Sequence, residues 1–201
     1  MTGGVAVSCG IPAGFHRLEL SPPQVRLDLL DELLAGLPTA PPGRVAEVFA
    51  DYERALAALR EQEVLLCALG LHQDALGAVC SSVLTLTARP LAGAAPRAVL
   101  AELRARALGD GSAAVGALPV ELPLGPALLL ERRQRADAER RLWTGTVAVA
   151  SADRDRVAVL QLSSAATALA ADYRAVLLGT AHTLGFPAPE PPRSRIADAL
   201  G

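Results

Sequence analysis

The chain contains no lysine and no asparagine, and isoleucine occurs only at Ile11 and Ile196. Each absence removes a chemistry. Without lysine there is no Walker A phosphate loop, no pyridoxal Schiff base and no Ser-x-x-Lys acyl enzyme. Without asparagine there is no glycosylation sequon and no Cys-His-Asn protease. The missing residues are those with A/T-rich codons, which reads as a bacterial sequence of high GC content. Aromatics make up only 3% of the 201 residues, and a net charge of −2 gives no bulk positive field for nucleic acid phosphates. Long uncharged apolar runs are also missing. The most apolar stretch, 162–186, carries Asp172, Arg174 and His182, which a membrane helix rarely tolerates. The segment before Cys9 has neither the basic region nor the apolar length of a secretion signal. A cytoplasmic protein with no membrane insertion is expected.

What is present is an apolar content of 51%, in a chain long enough to bury roughly 70% of its unfolded surface in one core. One α+β domain is expected over 11–186, between a flexible N-terminus (1–10) and a proline-rich mobile tail (187–201). A short strand over 11–20 leads in. Ser21-Pro22-Pro23 then caps a helix carrying Val25, Leu29, Leu30, Leu33 and Leu34 and ending at Gly36. A second helix over about 44–62 places Val45, Val48, Phe49, Tyr52, Leu56 and Leu59 on one side.

The period then changes. Val64 to Leu71 and Gly77 to Arg89 read as a hairpin, with Pro90 ending its second strand. Leu65, Cys67, Leu69 and Leu71 are expected to face the helices with Ala78, Cys80, Leu84 and Leu86. A helix from Pro96 to Leu108 turns Val99, Leu100, Leu103 and Leu108 inward and closes at Gly109. Four strands follow, over Ala113–Leu122, Pro126–Gln134, Leu142–Ala150 and Arg156–Ser163. Their links are too short for parallel crossovers, so they form an antiparallel meander. A last helix over about 165–184, capped by Ser164, buries Leu169, Tyr173, Val176, Leu177, Thr180 and Leu184. The expected architecture is one antiparallel sheet, hairpin plus four-strand meander, packed with amphipathic helices.

Three cysteines without a spacing motif read as buried thiols in a reducing compartment. A two-residue loop at Gln73-Asp74 would set Cys67 opposite Cys80; a four-residue loop would set it opposite Ser82. The glycines of Gly109-Asp110-Gly111 leave a helix to enter a strand, the reverse of a dinucleotide-binding turn, so no cofactor is expected. His16, His72 and His182 have no companion at metal-ligand spacing, so no metal is expected either. Ser81, Ser82, Ser151, Ser163 and Ser164 lack a nucleophile elbow, and turn chemistry accounts for Asp153 and Asp155. No catalytic residue is assigned.

One charge run stands out, Glu131 to Arg141, with five arginines against three acids. It reads as a solvated hairpin tip or as a recognition surface, built from Arg132, Arg133, Arg135, Arg140, Arg141 and the adjacent Trp143. Arginine and tryptophan are enriched at interface hot spots. Nucleic acid would demand a wider basic patch with stacking aromatics. The mean hydropathy of +0.32 leaves apolar surface for a partner or a second copy to cover.

The order of lead strand, hairpin, helix, meander and closing helix over 11–186 resembles the PsbP-like α/β/α sandwich. That fold is shared by photosystem extrinsic subunits, a Ran-binding nuclear import factor and bacterial lipoproteins and secretion adaptors. Leu118-Pro-Val-Glu-Leu-Pro-Leu-Gly-Pro126 and Val159-Leu-Gln-Leu-Ser-Ser also resemble segments of uncharacterised proteins of high-GC bacteria. The resemblance implies binding and assembly, and hence a non-catalytic interaction protein: an adaptor, chaperone or assembly subunit. Its partner would be another protein, an acidic one, or a further copy of the chain, and not nucleic acid. Two other readings stand beside it. One is a small-molecule-binding domain or enzyme with a pocket between the sheet and the 44–62 helix; the other is a self-assembling structural subunit.

Overall fold

The computed structural model describes residues 7–18, 63–73, 77, 79–109, 114–135, 141–151 and 155–186. In chain order these contain β1 (Phe15–Leu18), β2 (Leu66–Gln73), β3 (Val79–Pro90), α1 (Pro96–Gly109), β4 (Ala114–Leu122), β5 (Gly125–Arg135), β6 (Arg141–Ser151) and β7 (Arg156–Ser164). A 3-10 turn at Thr167–Leu169 then leads into α2 (Ala170–Ala181). All seven strands belong to one sheet in the order β1-β2-β3-β7-β6-β5-β4, and every neighbouring pair is antiparallel. The fold of the described residues is therefore α+β with a single sheet. The helices expected between Ser21 and Gly36 and over 44–62 lie outside the described residues, as does the 187–201 tail.

Helices lie on both faces of this sheet, so both faces are apolar. On the first face, the even-numbered residues of β2, β3 and β7 meet the odd-numbered residues of β5 and β6. Leu84, Leu86, Leu160, Leu162, Val147 and Val149 pack there against Tyr173, Leu177 and Ala181 of α2. On the second face, Leu100 of α1 packs on Leu128, Ala148, Ala150 and Val157. Leu18, Val64 and Cys67 form a smaller cluster on that second face, with Leu69 and Val83.

Register corrects the expected faces of β2. Cys67 lies opposite Thr85 and His72 opposite Cys80, so neither expected loop length holds. The difference is an odd number of residues, and an odd slip turns a whole strand over. Leu66 and Ala68 therefore join Leu84 and Leu86 on the first face, while Cys67 and Leu69 take the second. Five residues of strand separate Thr85 from Cys80, about 17 Å at ~3.4 Å per residue, so Cys67 and Cys80 cannot bridge.

A second correction concerns α1. Leu108 is 57% exposed and Ala107 takes the inward position. Leu100, Leu103 and Ala107 fall on one stripe at i, i+3 and i+7, and Leu108 lies a further 100° around the helix.

The lead strand is shorter than expected, with four residues, and it shields β2. Phe15 lies opposite Gly70, where an added Cβ would stand 2.8 Å from the Phe15 ring and 2.6 Å from Ser82 Oγ. The ring fills the space a side chain would take. Residues 8 and 10 are hydrogen-bonded to the segment after α2. Ser8 and Gly185 exchange two backbone hydrogen bonds of 2.9 Å, and Gly10 N donates to Thr183 Oγ1 at 2.7 Å.

Candidate functional site

The arginine run occupies the end of the sheet where β5 passes to β6. Alternation splits the residues expected to act together. Arg133 lies opposite Trp143 and Arg135 opposite Arg141, all on the first face. Arg132 lies opposite Thr144 on the second face, and Arg140 is outside the described residues. Arg133, Arg135 and Arg141 are exposed, and among the described residues no ion pair engages any of them. Like charges directly opposite on neighbouring strands destabilise a sheet. The Arg135–Arg141 pair thus presents a cationic corner among the described residues.

Trp143 does not belong to that surface. It is 1% exposed and lies beneath α2, stacked on Tyr173 with ring centroids 5.7 Å apart and planes 28° from parallel. Its odd position on β6 points it toward the helix, and Gly145 beside it leaves room for the indole. Trp143 is thus a buried neighbour of Arg133 on the same face.

Beside it lies a group the sequence did not single out. Glu131, only 4% exposed, accepts a hydrogen bond from the indole Nε1 of Trp143 at 3.2 Å. Its other oxygen meets the guanidinium of Arg174 at 2.7 Å, and the Arg174 side chain remains 43% exposed. A buried carboxylate is tolerable only when paired and hydrogen-bonded in this way. The single acid among the described residues of the run is thereby used internally, leaving the three exposed arginines without it. Period-two spacing from Ala127 and Leu129 to Glu131 was the available signal; the surrounding charges masked it.

A second polar chain runs nearby. His72 Nε2 lies 2.5 Å from the Tyr173 hydroxyl, and that hydroxyl is 3.0 Å from Ser164 Oγ. Ser164 Oγ donates to the carbonyl of Ser81 at 2.7 Å and accepts from the amide of Ala166 at 3.1 Å. Ser164 Oγ has one proton and two acceptors within reach, the Ser81 carbonyl and the Tyr173 hydroxyl. Ser164 is fully occupied as a strap joining β3, β7 and α2. Neighbouring Ser82 is 1% exposed, and its hydroxyl has no hydrogen-bond partner.

Among the described residues, no group of three or more His, Cys, Asp or Glu side chains is placed to hold a metal ion. A cavity of about 490 Å³ opens at the start of α1, beside Arg97, Leu124, Pro126 and Ser151. Among the described residues, Arg97 and Ser151 are its only polar side chains, few for a site that fixes a ligand by converging groups. The pocket expected beside the 44–62 helix falls outside the described residues. No described helix is long and apolar enough to cross a membrane.

The thiols carry a pH signature. Burial pushes the Cys67 thiol from 9.0 up to about 11. Cys9 and Tyr173 are also raised chiefly by burial. Between pH 9 and about 11 the unfolded chain releases a Cys67 proton that the folded chain retains, so stability falls as pH rises through that window. Urea unfolding at pH 8 to 11 is expected to show this fall, and Cys67→Ala to flatten it. An equally steep fall in the variant would assign the effect elsewhere.

In comparisons with known proteins, the chain matches no family model and no curated protein.

Proposed function

We propose that the chain is a non-catalytic protein-interaction module, an adaptor, chaperone or assembly subunit of the cytoplasm, that binds an acidic partner at the Arg133–Arg135–Arg141 corner. Helices on both faces of the sheet support reading it as a PsbP-like sandwich in which a hairpin and a four-strand meander, backed by amphipathic helices, form a rigid platform. The observation that carries the functional reading is the direct opposition of Arg135 and Arg141, with Arg133 two residues along on the same face. Like charges opposite one another repel, and an anionic surface relieves that repulsion. The role of Trp143 changes in this reading: it stiffens the strand pair from within.

The test is capture of partners from lysate by the tagged protein and by its Arg135→Glu/Arg141→Glu variant. Both positions are exposed, so thermal stability should stay within about 0.5 kcal/mol of the parent. Partner recovery is expected to fall at least ~10-fold, the effect of losing about 1.4 kcal/mol of binding. Undiminished recovery with the variant would remove this corner from the interface.

A further inference from the structure

We infer that the group received at this corner is a doubly charged oxyanion, a phosphorylated serine or threonine on the partner protein. The inference rests on the interaction reading above and specifies its chemistry. Arg133 and Arg135 are two residues apart on one strand face, a separation of ~6.8 Å. Arg135 and Arg141 are direct cross-strand neighbours, with Cβ atoms about 5 Å apart. Three long guanidinium arms therefore start from a triangle small enough for all three to meet one tetrahedral anion.

A phosphoryl group matches that set in number and in charge. It offers three acceptor oxygens and a charge of about −1.5 to −2 at neutral pH. A carboxylate offers two oxygens and one charge, which leaves one guanidinium unused and the corner still positive. Glu131 does not compete for the site, because both its oxygens are occupied, by Trp143 and Arg174. The base is rigid: Trp143, directly opposite Arg133, is locked between Tyr173 and Glu131, so the ordering left to the moment of binding is that of the three arginine side chains. A nucleic acid backbone fits less well. Binding a single strand calls for exposed stacking rings, and the two aromatics here, Trp143 and Tyr173, are 1% and 4% exposed.

The experiment compares one short Gly/Ala-flanked peptide in three forms, with serine, phosphoserine or glutamate at its centre, by calorimetry against the full chain. Vesicles containing phosphatidic acid serve as a further arm. The phosphoserine form is expected to bind at least ~10-fold more tightly than the glutamate form, and inorganic phosphate to compete. Arg133→Ala, Arg135→Ala and Arg141→Ala should each weaken it by at least ~10-fold, the lower range for a hydrogen bond to a charged group. Equal binding of the glutamate and phosphoserine forms would overturn the phosphate inference and leave the acidic-partner reading standing. So would peptide silence while lysate capture stays sensitive to Arg135→Glu/Arg141→Glu. Phosphopeptide binding unchanged in all three alanine variants, or preference for the vesicles, would overturn it too. Loss of the broader reading shows separately, as lysate capture indifferent to the charge reversals.

Discussion

Replacing Trp143 with alanine should cost about 3–5 kcal/mol of stability, the range for deleting a large buried aromatic. For a chain of this size that is a fall of roughly 6–20 °C in Tm. The loss has three parts. The indole is 1% exposed against the α2 face of the sheet, it stacks on Tyr173, and its Nε1 donates to buried Glu131. Removing it opens a cavity and leaves the carboxylate with Arg174 as its remaining partner. Trp143→Phe separates these contributions. Phenylalanine keeps a ring against Tyr173 and loses the donor, so its cost should be smaller, of the order of 1–3 kcal/mol. Since Trp143 is the only tryptophan, its fluorescence also tests the assignment: a blue-shifted emission, weakly quenched by acrylamide, is expected of the native protein. A Trp143→Ala protein that melts within a degree of the parent yet loses its partner would make Trp143 a surface contact after all.

Gly145→Ala should be nearly as informative, because its effect depends on what stands at position 143. A Cβ at Gly145 would lie 2.5 Å from Trp143 Cη2 and 2.8 Å from Leu177 Cδ2. Neither atom can retreat into solvent: Trp143 is buried and Leu177 is 0% exposed. Glycine in a strand interior ordinarily costs a little entropy, so alanine would help by about 0.5–1 kcal/mol in open space. Here overpacking wins, at about 1–3 kcal/mol of destabilisation. In a Trp143→Phe background the outer indole atoms are gone, and much of that penalty should vanish. A double-mutant cycle by urea unfolding would read this as a coupling of at least about 1 kcal/mol. Additive costs would mean that the crowding lies with Leu177 alone.

Several strands were legible because their boundaries carry their own chemistry. The segment expected at Pro126–Gln134 is observed as Gly125–Arg135, and the one expected at Arg156–Ser163 as Arg156–Ser164. Glycine and proline turns and short polar links punctuate the chain there, and apolar residues fill much of the intervals. Which way each side chain points was less legible. Strand β6 buries Val147 and Val149 on one face and Ala148 and Ala150 on the other, so alternation gives no contrast to read. Charged sequence neighbours and the enrichment of tryptophan at interface hot spots place Trp143 on the surface when the sequence is read alone. Glu131 was read as one more solvated charge, and nothing local marks a carboxylate whose partners come from β6 and α2.

By itself, then, the sequence determined the kind of structure: strands where apolar and β-branched runs sit between turn residues, an antiparallel sheet because the links are short, and a cationic end where arginines cluster. These depend on neighbours within a few positions. The tertiary structure alone decided register and partnership. A slip by an odd number of residues in β2 exchanged the faces of Cys67 and Ala68. The placing of β7 between β3 and β6 brought Ser164, Tyr173 and His72 into one chain of hydrogen bonds. The closure of α2 over β6 put Trp143 inside and left Arg133, Arg135 and Arg141 outside. Such outcomes are set by contacts between residues far apart along the chain, and these form only when the whole sheet is assembled.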